Sequence, residues 1–223
     1  MTLIGLAGPI GAGKDTFGLY LQEHLDAHIT SFAEPIRNLA AFLGFGWTNR
    51  EEKEKEKIKT YWCIEHELQA GIEHCMGDWE DNDKAVLYAF LLEALEPHIV
   101  RANYTWDQDS MMISPRVLMQ KIGTEAGRRV RESIWADALL RRVARHKYVV
   151  VTDVRFPNEA AVCKELIWIS RPGVGVATDH ASESHHATLQ RMAGSAIYNN
   201  GSIEELNIFA IAFAEAIKEE YGK

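Results

Sequence analysis

With 223 residues, 47% of them hydrophobic, the chain is long enough to bury a sizeable core, as one domain or as a core with an inserted lobe. Its formal charge of -8 argues against broad nucleic-acid binding, which needs a basic surface to displace counterions. No apolar run reaches the roughly 18 residues of a membrane span, and no leader-like start precedes the first strand. Cys63, Cys75 and Cys163 form no disulfide framework, so a protein of a reducing, cytoplasmic compartment is expected.

In chain order, Leu3-Ile4-Gly5-Leu6-Ala7 predicts a short buried parallel strand. A helix from Lys14 to about His24 follows, with Phe17, Tyr20 and Leu21 on one face, then a strand at 28–32 and an amphipathic helix at 35–43. The charge run EEKEKEKIK at 51–59 reads as a solvated helix face. Between Trp47 and Met112, four tryptophans (Trp47, Trp62, Trp79, Trp106) are scattered among charges without strand-like alternation, which predicts a mostly helical inserted lobe over 47–112. Residues 116–145 predict two helical stretches, broken or bent near Gly123 and Gly127.

Tyr148-Val149-Val150-Val151-Thr152 is the clearest strand, an unbroken β-branched run suited to the centre of a parallel sheet. Residues 166–170 predict another strand and 196–198 a weaker one, before an amphipathic helix from Ile203 to Tyr221. Strands alternating with helices predict an α/β fold, a phosphate-loop parallel sheet covered by helices on both faces.

Gly8-Pro9-Ile10-Gly11-Ala12-Gly13-Lys14-Asp15-Thr16 carries the chemistry. Glycine, four residues, glycine and lysine, set between a buried strand and a helix, is the phosphate-loop pattern. Its glycines let backbone N–H groups turn inward around a phosphate, and the helix N-terminus adds a favourable dipole. Gly11, Ala12, Gly13, Lys14, Asp15 and Thr16 are therefore expected to hold the phosphates of a bound nucleotide. The usual hydroxyl after the lysine is replaced by Asp15, so either Thr16 serves Mg2+ or Asp15 does so through a metal-bound water. Further on, Asp153 and Arg155 follow the central strand, where ligands bind in parallel sheets. Asp153 then orients the metal or the acceptor and Arg155 neutralises the moving phosphoryl group, or the two form a loop salt bridge.

These blocks resemble the deoxynucleoside monophosphate kinases of tailed phages. The resemblance rests on 8–16, on Phe32-Ala33-Glu34-Pro35-Ile36-Arg37, and on Leu118-Met119-Gln120-Lys121-Ile122-Gly123-Thr124-Glu125 with Arg128 and Trp135. It continues through Thr152-Asp153-Val154-Arg155, Arg171-Pro172-Gly173, His180-Ala181-Ser182-Glu183 and Asn200-Gly201-Ser202-Ile203-Glu204-Glu205-Leu206. It implies ATP with Mg2+ as donor and a deoxynucleoside 5'-monophosphate as acceptor. Lys14, Arg128, Asp153 and Arg155 are the implied catalytic residues, and Arg37, Gln120, Thr124, Arg128, Trp135, Asp153 and Arg155 the acceptor candidates.

Trp135 offers either a flat surface for a base or plain core, and Arg128 either takes the acceptor phosphate or pairs with Glu125 or Glu132. The partners expected are small nucleotides, with no nucleic acid or membrane; a homodimer is compatible with this reading, in a host cytoplasm if phage-encoded. Cys63, His66, His74 and Cys75 have poor zinc spacing, and 199–201 serves as a turn or as a backbone contact to adenine. A kinase of another small acceptor, such as a coenzyme precursor, and a nucleotide-dependent switch are the rival readings.

Overall fold

The computed structural model describes residues 1–101, 108–174 and 185–222, so Trp106 and the block from His180 to Glu183 lie outside the described residues. The chain divides into two compact units, Met1–Phe32 with Ala136–Lys223 and Ala33–Trp135. The first unit opens with β1 (Thr2–Ala7), α1 (Lys14–Leu25) and β2 (His28–Thr30). The second holds α2 (Glu34–Phe42), α3 (Arg50–Glu54), β3 (Lys57–Tyr61), α4 (Ile64–Cys75), α5 (Asp81–Leu95), β4 (Ile99–Val100) and β5 (Asp109–Ile113). It continues with α6 (Pro115–Gln120), a π-helix (Lys121–Gly127) and α7 (Arg128–Val130). Then follow α8 (Ile134–Val143), β6 (Tyr148–Val151), α9 (Pro157–Ala161), β7 (Glu165–Ser170), α10 (His186–Met192), β8 (Ser195–Tyr198) and α11 (Ile203–Tyr221).

In the first unit the strands form one parallel sheet in the order β2-β6-β1-β7-β8. The first strand of the chain is thus its centre, pairing Leu3 with Val149 and Gly5 with Val151 on one side, and Leu6 with Ile167 and Ala7 with Trp168 on the other. All of β1 and β6 is buried, which explains their unbroken apolar sequences: helices cover both faces, so neither strand has a solvent side to fill with polar residues. On one face Phe17 and Leu21 of α1 and Leu206, Ala210, Ala214 and Ile217 of α11 pack against Ile4, Leu6, Val150 and Ile167. A hydrogen bond of 2.8 Å between the His24 ring and Asn207 Oδ1 ties the two helices together at the rim of that layer.

The second unit is rich in helix, and it also holds strands that the sequence did not signal. It contains an antiparallel sheet, β3-β5-β4, with Lys57 opposite Ile113 and Ile99 opposite Met111. The charge run splits: its first part is α3, and its end, Lys57–Tyr61, is strand. The reason lies in which face each residue takes. Ile58 is 66% exposed while Lys57, Lys59 and Tyr61 are half-buried, so the strand's apolar and charged residues occupy the opposite sides from those that pattern reading assumes. Near Gly123 and Gly127, where the sequence predicts a broken or bent helix, the α-helix gives way to a π-helix over Lys121–Gly127.

Phe17 is fully buried between α1 and the sheet. Phe17→Ala removes its ring and leaves a cavity, so denaturant titration is expected to show a loss of about 3–5 kcal/mol.

Candidate active site

β1 ends at Ala7, and the chain reaches α1 through Gly8, Gly11 and Gly13, whose φ angles are 139°, 82° and 102°. Side-chain-bearing residues rarely adopt such angles. Space excludes them too: a Cβ at Gly8 would stand 2.0 Å from the Ile169 carbonyl oxygen, and one at Gly13 2.5 Å from Asn199 Nδ2. The loop is tied from within. The Lys14 ammonium donates to the Gly8 and Pro9 carbonyls at 2.7 and 2.8 Å, and the Ala12 N–H donates to the Pro9 carbonyl at 3.2 Å.

From outside the loop, the buried Asn199 amide donates to the Ala12 carbonyl at 2.9 Å. Sequence reading offered 199–201 only as a turn or a base contact and missed this brace; an asparagine just after a predicted strand was the available signal. The first turn of α1 has Asp15 exposed and Thr16 half-buried, with backbone N–H groups that the helix leaves to a ligand.

Beside the loop, β6 delivers Asp153. Its Oδ1 accepts the Phe32 N–H at 2.8 Å, and the Val154 N–H donates to the Leu6 carbonyl at 3.2 Å, so the residues after β6 stay fastened to β1. Arg155 is exposed, and its backbone is fixed by a residue that the sequence did not single out as a site residue. The Glu159 side chain, 4% exposed, accepts the N–H groups of Arg155 and Phe156 through Oε2 at 2.9 and 3.2 Å, capping the short α9. Burial first, then the Glu159 and Asp153 carboxylates, push the Cys163 thiol up to about 12, which keeps it a thiol and not a nucleophile.

A cleft of about 180 Å³ opens at the junction of β8 and α11, lined by Tyr198, Asn199, Asn200, Gly201, Leu206 and Phe209 among others. Ser202 and Glu205 form a reciprocal cap at the start of α11: the Ser202 hydroxyl accepts the Glu205 N–H, and the Glu205 carboxylate accepts the Ser202 N–H. Asn199 links this cleft to the phosphate loop, since it lines the one and braces the other.

The remaining sequence candidates lie in the second unit. Gln120, Thr124 and Arg128 recur at intervals of four through α6, the π-helix and α7, and all three are half-buried. Residues so spaced lie near one side of a helix. Arg37, on α2, is exposed, and its neighbour Ile36 packs against the π-helix, where a Cβ added to Gly123 would stand 3.0 Å from Ile36 Cδ1. Arg128 donates through Nη1 to the Glu132 backbone carbonyl at 3.2 Å.

Trp135 is corrected by its surroundings. It is 2% exposed, its indole N–H donates to the Gly123 carbonyl at 2.8 Å, and its ring lies 5.3 Å from Trp79, centroid to centroid, at a tilt of 55°. A Cβ at Gly127 would stand 2.2 Å from its Cζ2. Both faces and the polar handle are spent on protein, which makes Trp135 the core support of the π-helix and removes it as a stacking surface for a base.

A sequence model of the family described as Deoxynucleotide monophosphate kinase matches residues 81–208. The chain is 30% identical over 182 residues to the deoxynucleoside-5'-monophosphate kinase of Escherichia phage T5, spanning 73% of this chain and 72% of that protein. It is 28% identical over 216 residues, 92% of each chain, to an Acanthamoeba polyphaga mimivirus protein whose name assigns it provisionally as a deoxynucleotide monophosphate kinase.

Gly13→Ala is expected to weaken nucleoside triphosphate binding at least about tenfold in calorimetric titration, a loss of about 1.4 kcal/mol or more, with far-UV circular dichroism unchanged. The added methyl displaces Asn199 and strains the loop without touching the sheet.

Proposed function

The chain belongs to the deoxynucleotide monophosphate kinase family, and on that premise we propose how its residues divide the reaction. Phosphoryl transfer joins an oxygen of the acceptor's 5'-phosphate to the γ-phosphorus of the donor while the bond from that phosphorus to the β-bridging oxygen breaks, giving a diphosphate and ADP. No covalent enzyme intermediate is needed. The protein's part is to hold two anions in line and to stabilise the charge that spreads between them.

The phosphate loop holds the donor, and the observation that carries this is the set of three left-handed glycines braced by Lys14 and Asn199. Backbone N–H groups from Gly11 to Thr16 line the phosphates, and the Lys14 ammonium neutralises the γ-phosphate oxygens. The cleft at Tyr198–Phe209 suits the donor base: it adjoins the loop through Asn199 and offers Tyr198 and Phe209 as apolar, aromatic lining.

Mg2+ fits the donor set. The Thr16 hydroxyl and the Asp15 and Asp153 carboxylates are hard oxygen ligands, and no group of three or more His, Cys, Asp or Glu gathers among the described residues. That suits an ion that takes most of its ligands from phosphates and water. When bound, it supplies positive charge that offsets the charge shifting onto the leaving oxygens. Thr16 is the metal-linked hydroxyl in this reading, with Asp15 acting at most through water.

Arg37, Gln120, Thr124 and Arg128 serve the acceptor. Arg128 takes its phosphate, because a planar guanidinium matches two phosphate oxygens where an ammonium meets them as a point charge. Arg155 attends the transferring group, with Asp153 orienting it. The readings as a coenzyme-precursor kinase or a switch have no observation in their favour.

Three measurements test this. ADP release, followed with each deoxynucleoside and ribonucleoside monophosphate in turn, is expected to rise sharply only with deoxynucleotide acceptors; turnover indifferent to acceptor overturns the assignment. In the same assay Arg128→Lys is expected to raise the acceptor KM about tenfold while leaving the ATP KM within about twofold, and an equal or larger defect for ATP removes Arg128 from the acceptor. Thr16→Val is expected to raise the Mg2+ concentration needed for half-maximal rate, whereas Asp15→Ser, which restores the commoner loop sequence, is tolerated. The reverse ranking gives the metal to Asp15.

A further inference from the structure

The arginine-rich stretch that follows the π-helix is gripped by α5, a helix with no part in the acceptor site proposed above. Three residues of α5 do this. Asp83 meets Arg131, Phe90 lies under the Arg129 guanidinium at 4.0 Å from the ring centroid, and Glu93 accepts from Arg129 Nη2 at 3.1 Å. Spaced by seven and three residues, they share one side of α5.

Of the three contacts, Asp83–Arg131 is the consequential one. Asp83 is 7% exposed; its Oδ1 accepts from Arg131 Nη1 at 3.3 Å, and its Oδ2 lies 3.0 Å from the same nitrogen. That second oxygen is buried and out of hydrogen-bond alignment, with no other partner among the described residues. Its neighbour Lys84 is engaged elsewhere, by Glu73 and Asp81 at 2.9 Å each. A buried carboxylate compensated by one guanidinium and the start of a helix holds that guanidinium firmly, since separating them strands a charge away from water.

Arg131 in turn begins the turn at 131–133, where the extended backbone of Arg131 ends α7 and the Ile134 N–H donates to the Arg131 carbonyl at 3.1 Å. The Glu132 carbonyl in this turn is the acceptor to which Arg128 donates.

We propose that Asp83 is a positioning residue for the acceptor phosphate. Through Arg131 it fixes the 131–133 turn, and the Glu132 carbonyl then aims the Arg128 guanidinium. Of the arginines clustered here, Arg129 and Arg131 are held by α5, and Arg128, held at the Glu132 carbonyl, serves the acceptor in the reading above. The inference rests on Arg128 serving the acceptor.

Its test has a sign. Asp83→Asn removes a negative charge close to an arginine cluster, so the electric field alone favours binding of a deoxynucleoside monophosphate dianion. Loss of positioning acts the other way. We expect Asp83→Asn to raise the acceptor KM about fivefold or more, with the ATP KM and kcat within about twofold, and Asp83→Glu to restore part of the loss. Arg131→Met, at a side chain 42% exposed and therefore tolerant of change, breaks the same link and serves if Asp83→Asn fails to fold. The double variant is expected to be no worse than the poorer single one. An acceptor KM that is unchanged or lower in folded Asp83→Asn overturns the inference, as does a fall in kcat alone or additive defects in the double variant. Arg128→Lys run in parallel separates the two failures: if it leaves the acceptor KM untouched, the reading of Arg128 fails; if it raises that KM and Asp83→Asn does not, only the role of Asp83 fails.

Discussion

Everything on the donor side depends on how closely the phosphate loop passes the strand beside it. Gly8 has a φ of 139° and leaves no space for a side chain before the Ile169 carbonyl, so the loop leaves the sheet in contact with the backbone of β7. That approach is available because β1 is the central strand, flanked on both sides by parallel neighbours: β6 ends opposite Gly5, while β7 runs on past Trp168, the partner of Ala7, to Ser170. A loop leaving an edge strand would have backbone on one side only. Here the neighbour on one side sets the loop's path, and the neighbour on the other, β6, supplies Asp153.

The second unit solves a different problem by the same means, the use of glycine where packing is closest. Gly127 admits the indole of Trp135 and Gly123 admits Ile36, and the helix between them widens into π geometry. Such widening is rare and is frequent at functional sites. Gln120, Thr124 and Arg128 recur along this stretch, and the neighbouring Gly123–Gly127 positions rest on a tryptophan with its N–H satisfied.

What the sequence makes legible follows from how locally each feature is encoded. The phosphate loop is written in consecutive residues at a fixed spacing, because each glycine answers a separate backbone demand. The buried strands β1 and β6 are legible because two covered faces force unbroken apolar runs. β3 is hidden because Ile58 faces solvent and lysines occupy the half-buried side, which reverses the usual pattern. Trp135 misled for a related reason: a tryptophan among arginines looks the same in one dimension whether it stacks on a base or fills a core. Asn199 and Glu159 braced the site unread, since their partners, the Ala12 carbonyl and two backbone N–H groups, carry no side-chain signature.

The sheet order also sets a timetable for biosynthesis. β1 leaves the ribosome before its hydrogen-bonding neighbours, Tyr148–Val151 and Glu165–Ser170, and the brace on its loop waits for Asn199. The whole unit from Ala33 to Trp135 is translated in between. This fully buried strand therefore waits unpaired, with both strand edges open, while that unit is made, a condition that favours aggregation and rewards capture by a chaperone. By the same timetable, the nascent chain cannot complete the bracing of its phosphate cradle until Asn199 has been made.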